Sequence, residues 1–231
     1  MTLPDRAQLG SSGVGPAPTF IYALTGKGRK RVRRVSVRLD LNYPLTRYLL
    51  RPLSRPIASV LSHSVITPDQ VTVFSTAIAG VAAALLAVGH YVAGGLVVLA
   101  AAVFDCVDGD LARISGRSSA RGAFLDSVLD RWCDAALILA LGFSNPDSYA
   151  LLAAIAVSTS LITSYTKTRV QSLGADCPEN IATRDVRMLI IAAAALSGFV
   201  TLGLAALAAL GAVTAVHRLA TSMRALRRSR G

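Results

Sequence analysis

Apolar residues run along this chain in long blocks and not in amphipathic stripes. A helix needs about 20 mostly apolar residues to cross a bilayer. The blocks predict spans over 68–88, 92–114, 122–142 and 149–170. Two further spans share the apolar run over 184–220, with Gly198 marking the turn between them. Short polar interruptions at 89–91 and 144–148 read as turns, and Thr67 before Pro68 reads as the N-cap of the first span. Ahead of the spans, Arg47, Arg51 and Arg55 recur every fourth position among apolar residues over 43–61. That spacing puts them on one face of a helix lying on the membrane surface, broken or turned at Pro44, Pro52 and Pro56. The expected fold is all-α: a polytopic membrane protein with six transmembrane helices preceded by an amphipathic surface helix. Its expected organisation is a disordered basic tail over 1–37, a juxtamembrane helix over 38–66, a membrane domain over 67–222 and a basic tail over 223–231.

Composition agrees with a membrane protein. Hydrophobic residues make up 53% of the 231 residues and charged residues only 16%. The formal net charge of +11 raises the question of nucleic acid. The basic residues, however, gather at the ends of apolar blocks, where they anchor cytoplasmic ends and meet anionic lipid. None of the 24 Lys and Arg residues falls in the turns near 89–91, 144–148 or 197–202. The charge pattern therefore excludes nucleic acid as the expected partner and puts both termini in the cytoplasm, with the chain in the cytoplasmic membrane. Cys106, Cys133 and Cys177 form no CxxC pair and read as neither a disulfide framework nor a zinc site. The basic run over 27–38 reads as an electrostatic membrane contact, and no N-terminal secretory signal is expected.

The second and third spans carry acids where acids are expensive. Asp105, Asp108, Asp110, Arg113, Asp126, Asp130, Arg131 and Asp134 lie in or beside otherwise apolar helices, and charge inside a bilayer points to function. At about 100° per residue, Asp105 and Asp108 share a helix face with the tiny residues Gly109 and Ala112. Gly122, Asp126 and Asp130, spaced four and four, share another. Opposed, the two faces gather four carboxylates, which repel one another unless hard divalent cations such as Mg²⁺ or Mn²⁺ stabilise them. The competing reading is a divalent-cation transporter. It requires acids at mid-membrane with access from both sides, whereas Asp105 to Arg113 abut the basic loop at 115–121.

The run Asp105-xx-Asp108-Gly109-xx-Ala112-Arg113, then eight residues, then Gly122-xxx-Asp126-xxx-Asp130, resembles the full signature of the CDP-alcohol phosphotransferase family. The resemblance implies a transferase of substituted phosphate groups in phospholipid biosynthesis, working as a homodimer in the bilayer. Its donor would be CDP-diacylglycerol or a similar CDP-alcohol, and CMP its leaving product. It implies a two-metal site held by Asp105, Asp108 and Asp126, with Asp130 as metal contact and catalytic base. It also implies that Asp108, Gly109, Ala112, Arg113 and Gly122 surround the cytidine diphosphate. A weaker likeness, in ITPDQVT at 66–72 and ATRDVR at 182–187, is to the phosphatidylinositol phosphate synthase and di-myo-inositol phosphate phosphate synthase branch. It implies that Lys167, Arg169, Arg187 and Arg218 hold the phosphate of an inositol-phosphate-type acceptor. Membrane anchoring explains the same basic residues equally well. Glycerol phosphate and other alcohols remain alternative acceptors.

Overall fold

The computed structural model describes residues 49–175 and 183–228. The N-terminal tail, the basic run over 27–38, Arg47 and Cys177 lie outside the described residues. The described chain is all-helical: α1 (Arg51–Ser62), α2 (Pro68–Ala87), α3 (Tyr91–Ile114), α4 (Ala120–Ser144), α5 (Pro146–Ser172), α6 (Arg184–Ser197) and α7 (Val200–Arg228).

Local chemistry fixes the ends of these helices. Thr67 opens α2 with a reciprocal cap. The Gln70 amide donates to Thr67 Oγ1 at 3.3 Å, and the Thr67 amide donates to Gln70 Oε1 at 2.9 Å. Pro68 follows at the first turn, where a missing N–H costs nothing. Ser119 caps α4 by accepting from the Gly122 amide at 2.9 Å. The turn between α6 and α7 falls at Gly198, whose φ of 77° lies in the left-handed region that favours glycine.

The expectation of six transmembrane helices is corrected. Among the described residues, four helices are long and apolar enough to cross a membrane: Pro68–Ala87, Tyr91–Ile114, Pro146–Ser172 and Val200–Arg227. Helix α4 is long enough but carries Arg121, Asp126, Asp130, Arg131 and Asp134 within its first four turns. Helix α6 has 14 residues, a length of roughly 21 Å against a hydrocarbon core of about 30 Å. It also opens on Arg184, Asp185 and Arg187. Overall apolar content did not separate such helices from true spans.

Helices α4 and α6 instead pack among the others. Helix α4 lies against α2, α5 and α6, and α6 lies against α3 and α7. The core between them is apolar and built from Leu86, Val98, Leu137, Ile138, Leu141, Ile191 and Leu204. Large apolar side chains on the outer faces of the spans, among them Phe74, Leu96, Leu151, Leu202 and Val213, are exposed. This is the inside-out dressing of helices solvated by lipid. Helix α1 sits against α3 through a second, small apolar cluster of Ala58, Val71, Val107 and Leu111.

Candidate active site

The last three turns of α3 and the first three turns of α4 bring the acids together. One carboxylate oxygen from each of Asp105, Asp108 and Asp126 lies within 4.8 Å of the other two. Asp108 is buried, and its Oδ2 has no hydrogen-bond partner. An orphaned carboxylate oxygen beside two more acids is costly by itself. The same oxygens are the donors a hard divalent cation takes, so the residues present fit a metal site. Asp130, one turn beyond Asp126, belongs to the same cluster through a guanidinium. Arg184 Nη1 is 2.9 Å from Asp130 Oδ1 and is also ion-paired with Asp105 Oδ1.

Arg184 stands at the start of α6, and a second arginine one turn on makes a parallel contact. Arg187 donates to Asp134 Oδ2 through Nε at 3.1 Å and through Nη2. Ser160 of α5 approaches the same oxygen at 3.5 Å. Asp134 Oδ1 faces Arg184 Nε at 4.0 Å. A buried carboxylate outside the family signature thus ties α4 to α6.

The residues expected around the nucleotide lie beside the acid cluster on the same helices. Arg113 donates from Nη2 to Asp110 Oδ1 at 2.6 Å, and Ser54 of α1 donates to Asp110 Oδ2 at 2.7 Å. Helix α1 is therefore linked to the end of α3 by a buried polar pair. Burial there pulls the Arg51 guanidinium below its ordinary value, opposed by attraction to Asp110. Gly109 has the Arg113 guanidinium beside it, 3.5 Å from where a Cβ would stand. At Gly122 a Cβ would come 2.9 Å from Asp69 Oδ1 and 3.1 Å from Ser119 Oγ. Glycine there lets the start of α4 approach Asp69 of α2 closely. Ala112 is half-buried on the same turn as Gly109.

The four basic residues expected on the acceptor side differ in setting. Arg187 and Arg218 are buried, Lys167 is half-buried and Arg169 is exposed. Arg218 of α7 donates to the Thr163 carbonyl of α5 at 2.9 Å, one turn before Lys167. Sequence reasoning counted Arg184 among the basic residues heading α6 and Asp134 among the intramembrane acids but assigned neither one a ligand or partner, and it did not single out Ser54. For Asp134 a signal existed: it continues the spacing of four that joins Gly122, Asp126 and Asp130. For Arg184 the signal was weaker, an arginine three before Arg187 at the head of a helix.

The family model for CDP-alcohol phosphatidyltransferases matches residues 65–226. An archaetidylinositol phosphate synthase of Methanothermobacter thermautotrophicus is 33% identical over 179 residues, covering 73% of this chain and 90% of that protein. A phosphatidylinositol phosphate synthase of Mycobacteroides abscessus is 35% identical over 159 residues, covering 66% and 72%. A bifunctional IPC transferase and DIPP synthase of Rubrobacter xylanophilus is 38% identical over 181 residues. There the match covers 76% of this chain but spans only 42% of the longer relative. Among solved structures, Mycobacterium tuberculosis phosphatidylinositol phosphate synthase with CDP-DAG bound superposes with a TM-score of 0.67 at 29% identity. That match covers 74% of this chain and 94% of that one. The same enzyme in complex with manganese and citrate gives 0.67 at 30% identity, covering 74% and 88%.

Proposed function

Because the chain belongs to the CDP-alcohol phosphatidyltransferase family, we propose that it moves a phosphatidyl or similar group from a CDP-alcohol to an inositol-phosphate-type acceptor. The reaction class follows from membership: it is a membrane-embedded enzyme that releases CMP from a CDP-alcohol donor. The single observation that carries the site is the convergence of Asp105, Asp108 and Asp126 around one orphaned carboxylate oxygen.

Asp105, Asp108 and Asp126, joined by Asp130, hold two divalent ions in this reading, Mg²⁺ or Mn²⁺. Ions held there would supply charge neutralisation for the donor diphosphate and for the departing CMP. The chain supplies the rest. Gly109, Ala112 and Gly122 let the cytidine diphosphate approach the backbone, and Arg113, steadied by Asp110, faces it. Asp130 takes the proton of the acceptor hydroxyl. The hydroxyl oxygen then bonds to the phosphorus that carries the donor alcohol, and the bond from that phosphorus to the CMP oxygen breaks. Lys167, Arg169, Arg187 and Arg218 hold the acceptor phosphate. Support for inositol phosphate comes from relatives whose names carry it. The basic loop between α3 and α4, the basic C-terminal end of α5 and the basic head of α6 favour the cytoplasmic face of the membrane for this site, with both termini on that side. A homodimer is the expected assembly.

The test offers the purified protein CDP-diacylglycerol with inositol phosphate, glycerol phosphate or unphosphorylated inositol, and follows CMP. The expected result is metal-dependent release with inositol phosphate, reduced about 10²- to 10⁴-fold in Asp130→Asn. Equal release with unphosphorylated inositol would remove the acceptor assignment, and full activity in Asp130→Asn would remove the base.

A further inference from the structure

Arg184 occupies an unusual place for a basic residue. One of its nitrogens, Nη1, bridges Asp105 and Asp130, so a cation already sits against the carboxylates meant for a metal. Its other face is unfinished. Arg184 Nε and Asp134 Oδ1 are both buried, neither has a hydrogen-bond partner, and they face each other at 4.0 Å. A movement of about 1 Å would close that gap to an ordinary charge-assisted bond. Two seats for one guanidinium therefore lie side by side: one on Asp105 and Asp130, the other on Asp134.

We propose that Arg184 is a resident counter-ion that competes with the divalent cation for Asp105 and Asp130 and withdraws onto Asp134 when the cation enters. The physical reason is like-charge repulsion across a few ångströms in a partly dry site, together with competition for the same oxygen lone pairs. Without metal, Arg184 neutralises acids that would otherwise repel one another. With metal, that service is redundant and the guanidinium is pushed away. Asp134 gives it a landing point and, through its other oxygen, keeps Arg187 in place beside it. Arg184 is then a positioning residue that sets how tightly the empty enzyme takes up metal.

This inference rests on the divalent-cation reading of the acid cluster, and its test needs no turnover. Mn²⁺ alone is titrated into the purified full-length protein, and free Mn²⁺ is followed by electron paramagnetic resonance. Arg184→Gln is expected to bind Mn²⁺ about tenfold more tightly than the wild type. Asp134→Asn is expected to bind it several-fold more weakly, because Arg184 loses its second seat. The double variant should match Arg184→Gln, since Asp134 acts through Arg184. Arg184→Lys, which keeps the charge but not the fork, covers the case in which the glutamine variant does not fold, and should fall between wild type and Arg184→Gln. Equal or weaker binding in the Arg184 variants, with the wild type binding normally, overturns this inference alone. Absence of Mn²⁺ binding throughout overturns the cation reading as well.

Discussion

The acidic half of the site and the basic half are built on opposite plans. The acids come from two consecutive helices, α3 and α4, at fixed intervals of three and four residues. The helix repeat alone puts each set on one face of its own helix. The bases come from α5, α6 and α7, one or two per helix, and each depends on a different partner: Asp134 for Arg187, the Thr163 carbonyl for Arg218 and solvent for Arg169. The difference matches the two chemistries. A diphosphate and its metal need several oxygens at near-invariant spacing. An acceptor needs only positive charge at the right distance, which many arrangements can supply. In the proposed reading, one half is thus a fixed frame, and the other is where a change of substrate can be accommodated.

The sharpest way to break this contrast is at Asp108. Its Oδ2 is buried without a partner, so a carboxamide there keeps the volume and removes the donor a cation requires. Asp108→Asn is expected to lower metal-dependent CMP release about a thousandfold, or about 4 kcal/mol of transition-state stabilisation. Its donor affinity should fall as well. A loss confined to acceptor KM would place Asp108 in the wrong half.

The two halves were also unequally legible in the sequence. Asp105, Asp108, Asp126 and Asp130 could be read because their geometry is local, set by spacing along single helices. The cap at Thr67 and the turn at Gly198 were legible for the same reason. The pairing of Asp134 with Arg187, and the bridge from Arg184 to Asp105 and Asp130, join residues about fifty positions or more apart. No periodicity encodes which arginine reaches which acid. The number of membrane-crossing helices was misjudged on similar grounds. Helix α4 lies against α2 and α6 and pairs Asp130 and Asp134 with arginines of α6, and α6 is a short helix whose apolar face meets protein. Apolar composition records burial, not whether lipid or protein does the burying.

In the basic half the largest effect is expected at Arg187. In the proposed reading, removing its guanidinium takes away a charge-assisted contact to the acceptor phosphate; it also leaves buried Asp134 without its closest partner. Arg187→Ala should raise KM for the phosphorylated acceptor about 10- to 100-fold with kcat changed only a few-fold. Thermal unfolding should register the uncompensated carboxylate as a loss of about 3–5 kcal/mol. Combining Arg187→Ala with Asp134→Asn should recover much of the stability and none of the acceptor affinity. Recovery of both would make Arg187 a structural partner of Asp134 and nothing more.

The smallest effect separates contact from anchoring. Arg169 lies on the last turn of α5 with its side chain exposed, where charge is well solvated and a single interaction is worth about 1 kcal/mol or less. Arg169→Ala should therefore change acceptor KM by no more than about fivefold. Whatever effect remains should fade as salt is raised, because exposed charges are screened over about 8–10 Å at ordinary ionic strength. Arg187, buried against Asp134, should show little salt dependence. If Arg169→Ala instead matches Arg187→Ala in size and resists salt, then the end of α5 closes over the acceptor. The basic half would then be a built pocket as fixed as the acidic one.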